Sequence, residues 1–370
     1  ENTNTFELHS RSKDNLVTNR PPKSSGVWKP ICCILYPFYF LLMVILLLVF
    51  ALTAYNTTGI IYDIQTYRNN SEMVEVKVEG YQPLSLYVHC EGDGNETVVM
   101  ENGLGGLYGM MWHFIPRLLV NKSFQVCAYD RRGYGWSETF ENGDPLHAIE
   151  LKQRASNNVH FLNALVKAKN ISTPFYYAGH SYGAYHLTHM ALLYPENVKG
   201  LIYLDGSNFS PLKQLFMMME LVANVQYTGL LRAGMDSGLL NYRELYKAIV
   251  DFKSLPEYLE HFSVANFKSG YFFASFLREK NPLVDSELAY RELAEELEKM
   301  EKPIDVPVLV IDAGSRYPDW FPSQHFSKYN WKYHRSIAGA THESLVMSDR
   351  FAPKVAGLIE SFINDQDSGE

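Results

Sequence analysis

The sequence has no excess of positive charge, and this separates it from proteins that bind nucleic acids. Its 33 lysines and arginines are outnumbered by 41 aspartates and glutamates, so the formal net charge is −8. A basic patch is the electrostatic footprint of nucleic-acid binding, and a modest acidic balance argues against such a partner. Cysteine is scarce, with four among 370 residues, and the chain contains neither an internal repeat nor a low-complexity segment. A hydrophobic content of 46% at this length suits one large globular domain with an accessory segment.

Charged residues are absent from one stretch near the N-terminus, residues 31–54, which is almost purely apolar. As a helix it spans a hydrocarbon core of about 30 Å, so we predict a transmembrane helix. It follows a long polar tail, residues 1–30, which we predict to be disordered. The length of the run and this tail favour an uncleaved anchor over the alternative, a cleaved signal peptide. Cys32 and Cys33 at its cytoplasmic edge are candidates for palmitoylation.

The flanks of the apolar run predict its orientation. Lysines and arginines precede it, which places the N-terminus in the cytoplasm. Glycosylation sequons, N-x-S/T, occur only after it, at Asn56, Asn69, Asn95, Asn121, Asn170 and Asn208. Acceptor sites with this distribution suit a domain that faces the lumen or the cell exterior. We therefore predict a single-pass type II membrane glycoprotein, in which a short stalk over residues 55–71 follows the anchor.

Beyond the stalk, strand-like and helix-like segments alternate, which predicts an α/β fold with a mostly parallel sheet covered on both faces. The predicted strands are residues 72–78, 84–89, 97–101, 124–129, 175–177, 201–204, 306–311 and 333–337, and the predicted helices are 112–120, 148–168, 185–194 and 351–363. The core thus comprises residues 72–205 and 303–366. Residues 206–302 interrupt it with a helical pattern rich in Met and aromatics. We predict a cap over the carboxyl ends of the strands that suits an apolar substrate.

One pentapeptide has the pattern of a catalytic nucleophile. Residues 179–183 read Gly-His-Ser-Tyr-Gly, a G-x-S-x-G pattern that follows the aromatic strand and precedes a helix. This context predicts a nucleophile elbow, a strained turn that projects Ser181 above the sheet. Gly179 and Gly183 lack the Cβ atoms that would collide there. The alternative interpretation is a glycine-rich turn whose serine has no catalytic role.

Four motifs in order resemble those of serine hydrolases of the alpha/beta-hydrolase superfamily. They are Asn102-Gly-Leu-Gly-Gly106, Tyr129-Asp-Arg-Arg-Gly-Tyr-Gly-Trp-Ser137, the elbow, and Gly339-Ala-Thr-His342. The likeness covers residues 72–365, and the long second motif is similar to a bacterial branch of poorly assigned hydrolases. The resemblance implies the superfamily fold with its helical cap.

Chemistry and resemblance together suggest the residue roles. A serine hydroxyl is a poor nucleophile until a base removes its proton, so Ser181 needs a histidine, and His342 stands where the superfamily carries its base. The oxyanion donors are expected to be the backbone N–H groups of Leu104 and Tyr182. Asn102 stands where many members have a histidine, a departure that leaves the donor backbone intact.

We do not assign catalytic roles to the other polar residues near the motifs. His186 and His189 share the elbow helix, and we predict packing or surface roles for them. His180 is expected to point away from the site, since its neighbour Ser181 faces it. Asp130 and Arg131 are expected to hold the turn that contains the glycines of the second motif.

The acid that orients His342 is the open choice. The superfamily usually carries it three residues after a glycine that follows the strand 306–311, and here that position is Tyr317. Asp319 lies farther along the same loop, and Asp205 ends the preceding strand, where some members place their acid. We favour Asp205, because a strand end is rigid whereas Asp319 requires a lengthened loop.

Cys90 and Cys127 fall in strands that are neighbours in such a fold. Strand spacing of about 5 Å allows a disulfide, and the predicted compartment is oxidising. The alternative is two unpaired apolar cysteines.

These observations predict a hydrolase that cleaves a small-molecule or lipid-like ester through an acyl-enzyme, without a metal or organic cofactor. Amide or peptide hydrolysis by the same triad is one alternative, and a catalytically silent binding protein with the same fold is another. Epoxide or haloalkane hydrolysis is disfavoured, because those relatives need a carboxylate at the position of Ser181. The oligomeric state is left open.

Overall fold

The computed structural model describes residues 28–69, 72–138, 155–206, 262, 293, 295–314, 323–327 and 334–367. By its internal contacts the chain divides into two compact units, residues 1–51 and 52–370.

A 40-residue helix, α1 (Trp28–Tyr67), contains the apolar run. From Leu35 onward it includes a window with a mean hydropathy of 2.6, so it is long and apolar enough to cross a membrane. A signal sequence would meet the same criterion. The helix continues past residue 54, and most of the predicted stalk is therefore helical. No proline follows Pro37 within α1, so nothing in the sequence forces the helix to stop at residue 54.

Eight strands form one sheet in the order β1-β2-β4-β3-β5-β6-β7-β8. Their bounds are β1 Met73–Val76, β2 Leu84–Glu91, β3 Thr97–Glu101, β4 Gln125–Tyr129, β5 Phe175–His180, β6 Val198–Leu204, β7 Val308–Ala313 and β8 His334–Ile337. The pairs β1–β2 and β2–β4 are antiparallel, and every other pair is parallel. The predicted mostly parallel sheet is confirmed, and the antiparallel direction of its first strands is a finding of the structure.

Helices cover both faces of this sheet. They are α2 Tyr108–Met111, α3 Ile115–Val120, α4 Ala155–Lys169, α5 Gly183–Leu193, α6 Ser344–Met347 and α7 Ala352–Asp367. On one face, Leu162 of α4 and Leu187 of α5 share a core with Tyr177 and Tyr203. On the other face, α3 and α7 share a second core with the alternate strand residues, such as Ile202. Central strands buried on both sides explain the continuous apolar runs in the sequence.

Two predicted helices differ from the structure. The helix predicted over residues 112–120 begins three residues later, as α3, with Pro116 in its first turn, and the separate short helix α2 before it was not predicted. The helix predicted from residue 148 is described only from Ala155. Most of the predicted cap lies outside the described residues, as does the loop that carries Asp319.

The cysteine pair lies across the antiparallel β2–β4 ladder. Cys90 is directly opposite Cys127 in the register, and the two form the predicted disulfide. The bridge joins an outer strand to the central parallel strands that carry the site.

Candidate active site

The turn after β5 has the geometry of a nucleophile elbow. Ser181 has a φ of 52°, a left-handed conformation that a non-glycine residue rarely adopts. Its N–H donates to the carbonyl of Leu204 at 3.1 Å, which ties the turn to the end of β6. A Cβ on Gly179 would lie 2.4 Å from Leu187, and one on Gly183 would lie 3.1 Å from Glu101. The two glycines therefore allow the elbow helix to pack closely on the sheet.

Asp205 and His342 form a hydrogen-bonded pair at the carboxyl edge of the sheet. His342 Nδ1 lies 2.6 Å from Asp205 Oδ2. Since an ionised carboxylate only accepts, the hydrogen bond is donated by Nδ1, which leaves Nε2 as the ring nitrogen available for proton transfer. The Ala313 N–H donates to the second oxygen, Asp205 Oδ1, at 3.0 Å. The histidine and aspartate side chains are 41% and 21% exposed, so the pair is open to a substrate.

The carboxyl group of Asp205 is held in its ionised form. Partial burial raises its pKa, but the hydrogen bonds from His342 and the Ala313 N–H outweigh burial, so the pKa lies below its ordinary value. Asp205 also has a positive φ of 44°, just after the last residue of β6. The Asp205 N–H donates to the Ile311 carbonyl at 2.7 Å. This hydrogen bond fixes the backbone of Asp205, at the end of β6, to the neighbouring strand β7.

His180 lies beside His342, and the expectation that it points away is wrong. Its ring centroid is 4.5 Å from that of His342, and its Nε2 donates to the His342 carbonyl at 2.8 Å. Burial, with a smaller contribution from His342, lowers the pKa of His180 to about 3. The ring is therefore neutral, and it anchors the backbone of His342.

The two predicted oxyanion donors lie on the segments that flank the serine. Tyr182 follows Ser181 and precedes the first turn of α5. Leu104 lies in the loop after β3, and a Cβ on the preceding Gly103 would be 3.3 Å from the Ser181 Cβ. The loop backbone thus passes close to the serine. Within the described residues, the Leu104 N–H donates no backbone hydrogen bond.

Asp130 and Arg131 both hold the DRRGYGWS turn, as predicted, and Arg131 also reaches a second loop. Asp130 accepts the N–H groups of Tyr108 at 2.8 Å and Trp136 at 3.1 Å. The Arg131 carbonyl accepts the N–H of Tyr134 at 2.9 Å, and its guanidinium lies 5.2 Å from the centre of the Tyr134 ring. The same guanidinium donates to the Asn102 and Gly103 carbonyls of the loop after β3, at 2.8 and 2.7 Å.

A buried carboxylate that the sequence did not single out completes this cluster. Glu101 is fully buried, forms an ion pair with Arg131 at 2.7 Å and accepts hydrogen bonds from the hydroxyls of Tyr129 and Tyr177. A charged residue at the end of a buried strand was the available signal, since acids are rarely fully buried without a partner.

The remaining histidines of α5 are packing residues, as predicted. His186 is fully buried, with its Nε2 3.2 Å from Asn158 Nδ2, and His189 is 6% exposed. In the described part of the chain, no group of three or more His, Cys, Asp or Glu side chains could hold a metal ion.

An aromatic cluster lies beside the loop after β3. Tyr108 and Trp136 each place their rings 6.1 Å from Phe262, a described residue of the predicted cap. Ile64 and Tyr67, at the end of α1, pack against the same cluster. Phe262 and the C-terminal end of α1 therefore lie next to the second motif.

A family model described as the alpha/beta hydrolase fold matches residues 96–316. Among curated proteins, the putative carbamate hydrolase RutD of Pantoea ananatis is 33% identical over 125 residues. That match covers 33% of this chain and 41% of the relative, so the chain spans less than half of the length of the curated relative it matches.

Solved structures share the fold at low sequence identity. A laboratory-evolved variant of potato epoxide hydrolase StEH1 has a TM-score of 0.60 at 18% identity, with 80% of this chain and 99% of that chain covered. ALR0039, a putative alpha/beta hydrolase from Nostoc sp PCC 7120, has a TM-score of 0.57 at 18% identity, with coverages of 79% and 97%. Sequence identities this low show a shared fold and nothing about activity. Because the family model matches more than half of its residues, this chain belongs to the alpha/beta-hydrolase family.

Proposed function

We propose that this protein is a membrane-anchored serine hydrolase that cleaves a carboxylic ester through an acyl-enzyme. The observation that carries the proposal is the hydrogen-bonded pair of His342 and Asp205 at the sheet edge where Ser181 occupies a strained elbow. A nucleophile, a base and an orienting acid in this arrangement are the parts that acyl transfer requires.

The proposed reaction has two matched halves. His342 Nε2 takes the Ser181 proton as Oγ bonds to the ester carbonyl carbon, and the carbonyl oxygen takes up negative charge near the Leu104 and Tyr182 N–H groups. The tetrahedral intermediate collapses, the bond to the leaving oxygen breaks, and His342 returns the proton to the alcohol. Water then attacks the acyl-enzyme carbonyl carbon while His342 removes its proton. The acid is released as His342 returns the proton to Ser181 Oγ. Asp205 stabilises the imidazolium in both halves.

The proposed substrate has an apolar acyl chain. The predicted cap, residues 206–302, is rich in Met and aromatic side chains, and Phe262 packs on Tyr108 beside the loop after β3. Each buried CH₂ contributes about 0.8 kcal/mol, so two methylenes should raise kcat/KM roughly tenfold. A lipid-like ester suits both this cap and an enzyme with a membrane anchor.

A carbamate is the second candidate substrate, favoured by the match to the putative carbamate hydrolase RutD. Its carbonyl accepts the same serine attack, and so does an amide. Epoxide opening by a carboxylate nucleophile is not proposed, because the elbow holds Ser181 at that position. A silent binding protein would not need the His342–Asp205 pair.

Labelling with a fluorophosphonate probe tests the proposal on the full chain in detergent. The native protein should be labelled, whereas Ser181→Ala and His342→Ala variants of equal thermal stability should not be. Turnover is then compared across p-nitrophenyl esters from acetate to octanoate, with matched anilides and carbamates. Absence of both labelling and turnover in the native protein would reject the enzyme proposal. A flat or falling ester profile would reject the apolar acyl chain.

We also propose a type II orientation, with the catalytic domain in the lumen or outside the cell and the anchor uncleaved. Basic residues before the apolar run and sequons only after it support this orientation.

A further inference from the structure

The loop after β3 carries one of the two proposed oxyanion donors, and its carbonyl groups are held from below by one side chain. The guanidinium of Arg131 bonds the carbonyl of Asn102 through Nη1 and that of Gly103 through Nη2. The N–H of Gly106 also donates to the Gly103 carbonyl, at 3.0 Å. The Gly103 carbonyl therefore has two donors on the same inner side of the loop.

Fixing these carbonyls also fixes the direction of the next N–H groups. In a planar trans peptide the N–H of the following residue points opposite to the carbonyl. With the Asn102 carbonyl on Arg131, the Gly103 N–H points away from the guanidinium, and it meets Met111 Sδ at 3.3 Å. With the Gly103 carbonyl on Arg131, the Leu104 N–H must likewise point away from it.

Arg131 is itself held by a buried carboxylate. Arg131 and Glu101 are 1% and 0% exposed, and their side chains pair at 2.7 Å. Glu101 also binds the hydroxyls of Tyr129 and Tyr177, so three donors fix the position of its carboxylate. A Cβ on Gly183 would lie 3.1 Å from the Glu101 Cγ, which places this carboxylate against the start of α5, next to the second donor at Tyr182.

We propose that Arg131 and Glu101 are positioning residues that preorganise the oxyanion donor Leu104. The inference rests on the proposed serine hydrolysis and adds residues that touch neither the substrate nor Ser181. A planar guanidinium reaches two carbonyls and a carboxylate at once, whereas the compact ammonium of a lysine cannot reproduce that fork. Preorganised donors matter because they stabilise the developing charge of the transition state without a reorganisation energy at the moment of reaction.

The test compares Arg131→Lys with Arg132→Lys in the full chain in detergent. Both arginines are buried in the same turn, but Arg132 lies over the rings of Tyr81 and Phe161 rather than under the loop. Glu101→Gln is the second variant, since its amide oxygen still accepts from the tyrosines while the charge that orients Arg131 is gone. The probe is an alkyl trifluoromethyl ketone, with which Ser181 Oγ forms a hemiketal whose oxygen carries the negative charge.

Arg131→Lys and Glu101→Gln should lower kcat on the order of 10²-fold, the loss typical of one oxyanion donor, and leave KM nearly unchanged. The ketone should bind more weakly by a similar factor, and the pH profile of kcat should keep its shape because His342 and Asp205 are untouched. Arg132→Lys should match the native protein in all three measurements.

Native kcat and ketone affinity in a folded Arg131→Lys variant would overturn the inference. If that variant does not fold, Glu101→Gln decides by the same measurements. Failure of both variants to fold would overturn it too, since the pair would then serve the fold rather than the loop. A native protein without turnover or fluorophosphonate labelling would reject the proposed function, and the inference with it, whereas native turnover with unaffected variants rejects the inference alone.

Discussion

His342 Nδ1 lies 2.6 Å from Asp205 Oδ2, although 137 positions separate the two residues in the chain. The pair joins the end of β6 to the loop after β8, two strands away in the sheet. Backbone hydrogen bonds at the same edge fix Asp205 to Ile311 and Ser181 to Leu204.

The first prediction concerns the orienting acid. Asp205→Asn should lower kcat on the order of 10⁴-fold, as in serine proteases, because an amide neither fixes the His342 tautomer nor stabilises the imidazolium. Steady-state ester hydrolysis at matched thermal stability measures the loss. Asp319→Asn and the control Asp305→Asn, whose carboxylate binds Ser327 at the surface, should retain activity. A fully active Asp205→Asn beside an inactive Asp319→Asn would reverse the assignment.

The second prediction concerns His180. His180→Ala removes the donor to the His342 carbonyl and should lower kcat roughly tenfold, the equivalent of one net hydrogen bond. His180→Gln retains an N–H donor and should recover much of that loss. Equal kcat values for the native protein and His180→Ala would show that the contact does not hold the base in place.

The third prediction is loss of stability in mild acid. Burial lowers the pKa of His180 from 6.5 to about 3 and that of His113 from 6.5 to about 4. Below pH 6.5 both histidines are protonated in the unfolded chain but stay neutral in the folded protein. The free energy of unfolding therefore falls as the pH falls. Each ring can remove up to about 1.4 kcal/mol per pH unit. Urea midpoints from pH 7.5 to 5 measure the slope, and His113→Asn should reduce it; an unchanged midpoint would refute the prediction.

The fourth prediction concerns the bridge between β2 and β4. Replacing Cys90 and Cys127 together by alanine should lower the free energy of unfolding by about 3–4 kcal/mol, the chain-entropy value for a loop of this size. Chemical denaturation with and without reductant provides the measurement. The double variant should be insensitive to reductant, and reductant sensitivity there would place the effect elsewhere.

The fifth prediction concerns orientation. Among the described sequons, four have exposed asparagines, at Asn69, Asn95, Asn121 and Asn170. Protein made in eukaryotic cells should gain mobility on a gel after glycosidase treatment, and the fourfold Asn→Gln variant should lose most of that shift. A native protein without a shift, and with its catalytic domain on the cytoplasmic side in protease protection, would contradict the type II orientation.

Local sequence patterns were sufficient for the strand and helix order and for the elbow. The aromatic strand, the two glycines and the following helix are contiguous, so the elbow can be recognised from neighbouring residues. The disulfide followed from the same reasoning, since adjacent strands bring their residues to known spacings. By itself, the sequence thus determined the α/β order, the position of Ser181 and two possible acids.

Tertiary structure decided which distant groups meet. The sequence left Asp205 and Asp319 as alternative acids. The hydrogen bond of Asp205 to His342 depends on the packing of β6, β7 and β8, whereas Asp319 lies outside the described residues. The position of His180 was predicted wrongly for a related reason. Arg131 does contact Tyr134 in its predicted turn, but its reach to a second loop was not predicted. Each side chain crosses from its own turn to another loop, to the His342 carbonyl and to the Gly103 carbonyl. Sequence patterns describe neighbours along the chain, whereas a side chain that crosses loops is placed by burial and by the carbonyl groups it must satisfy.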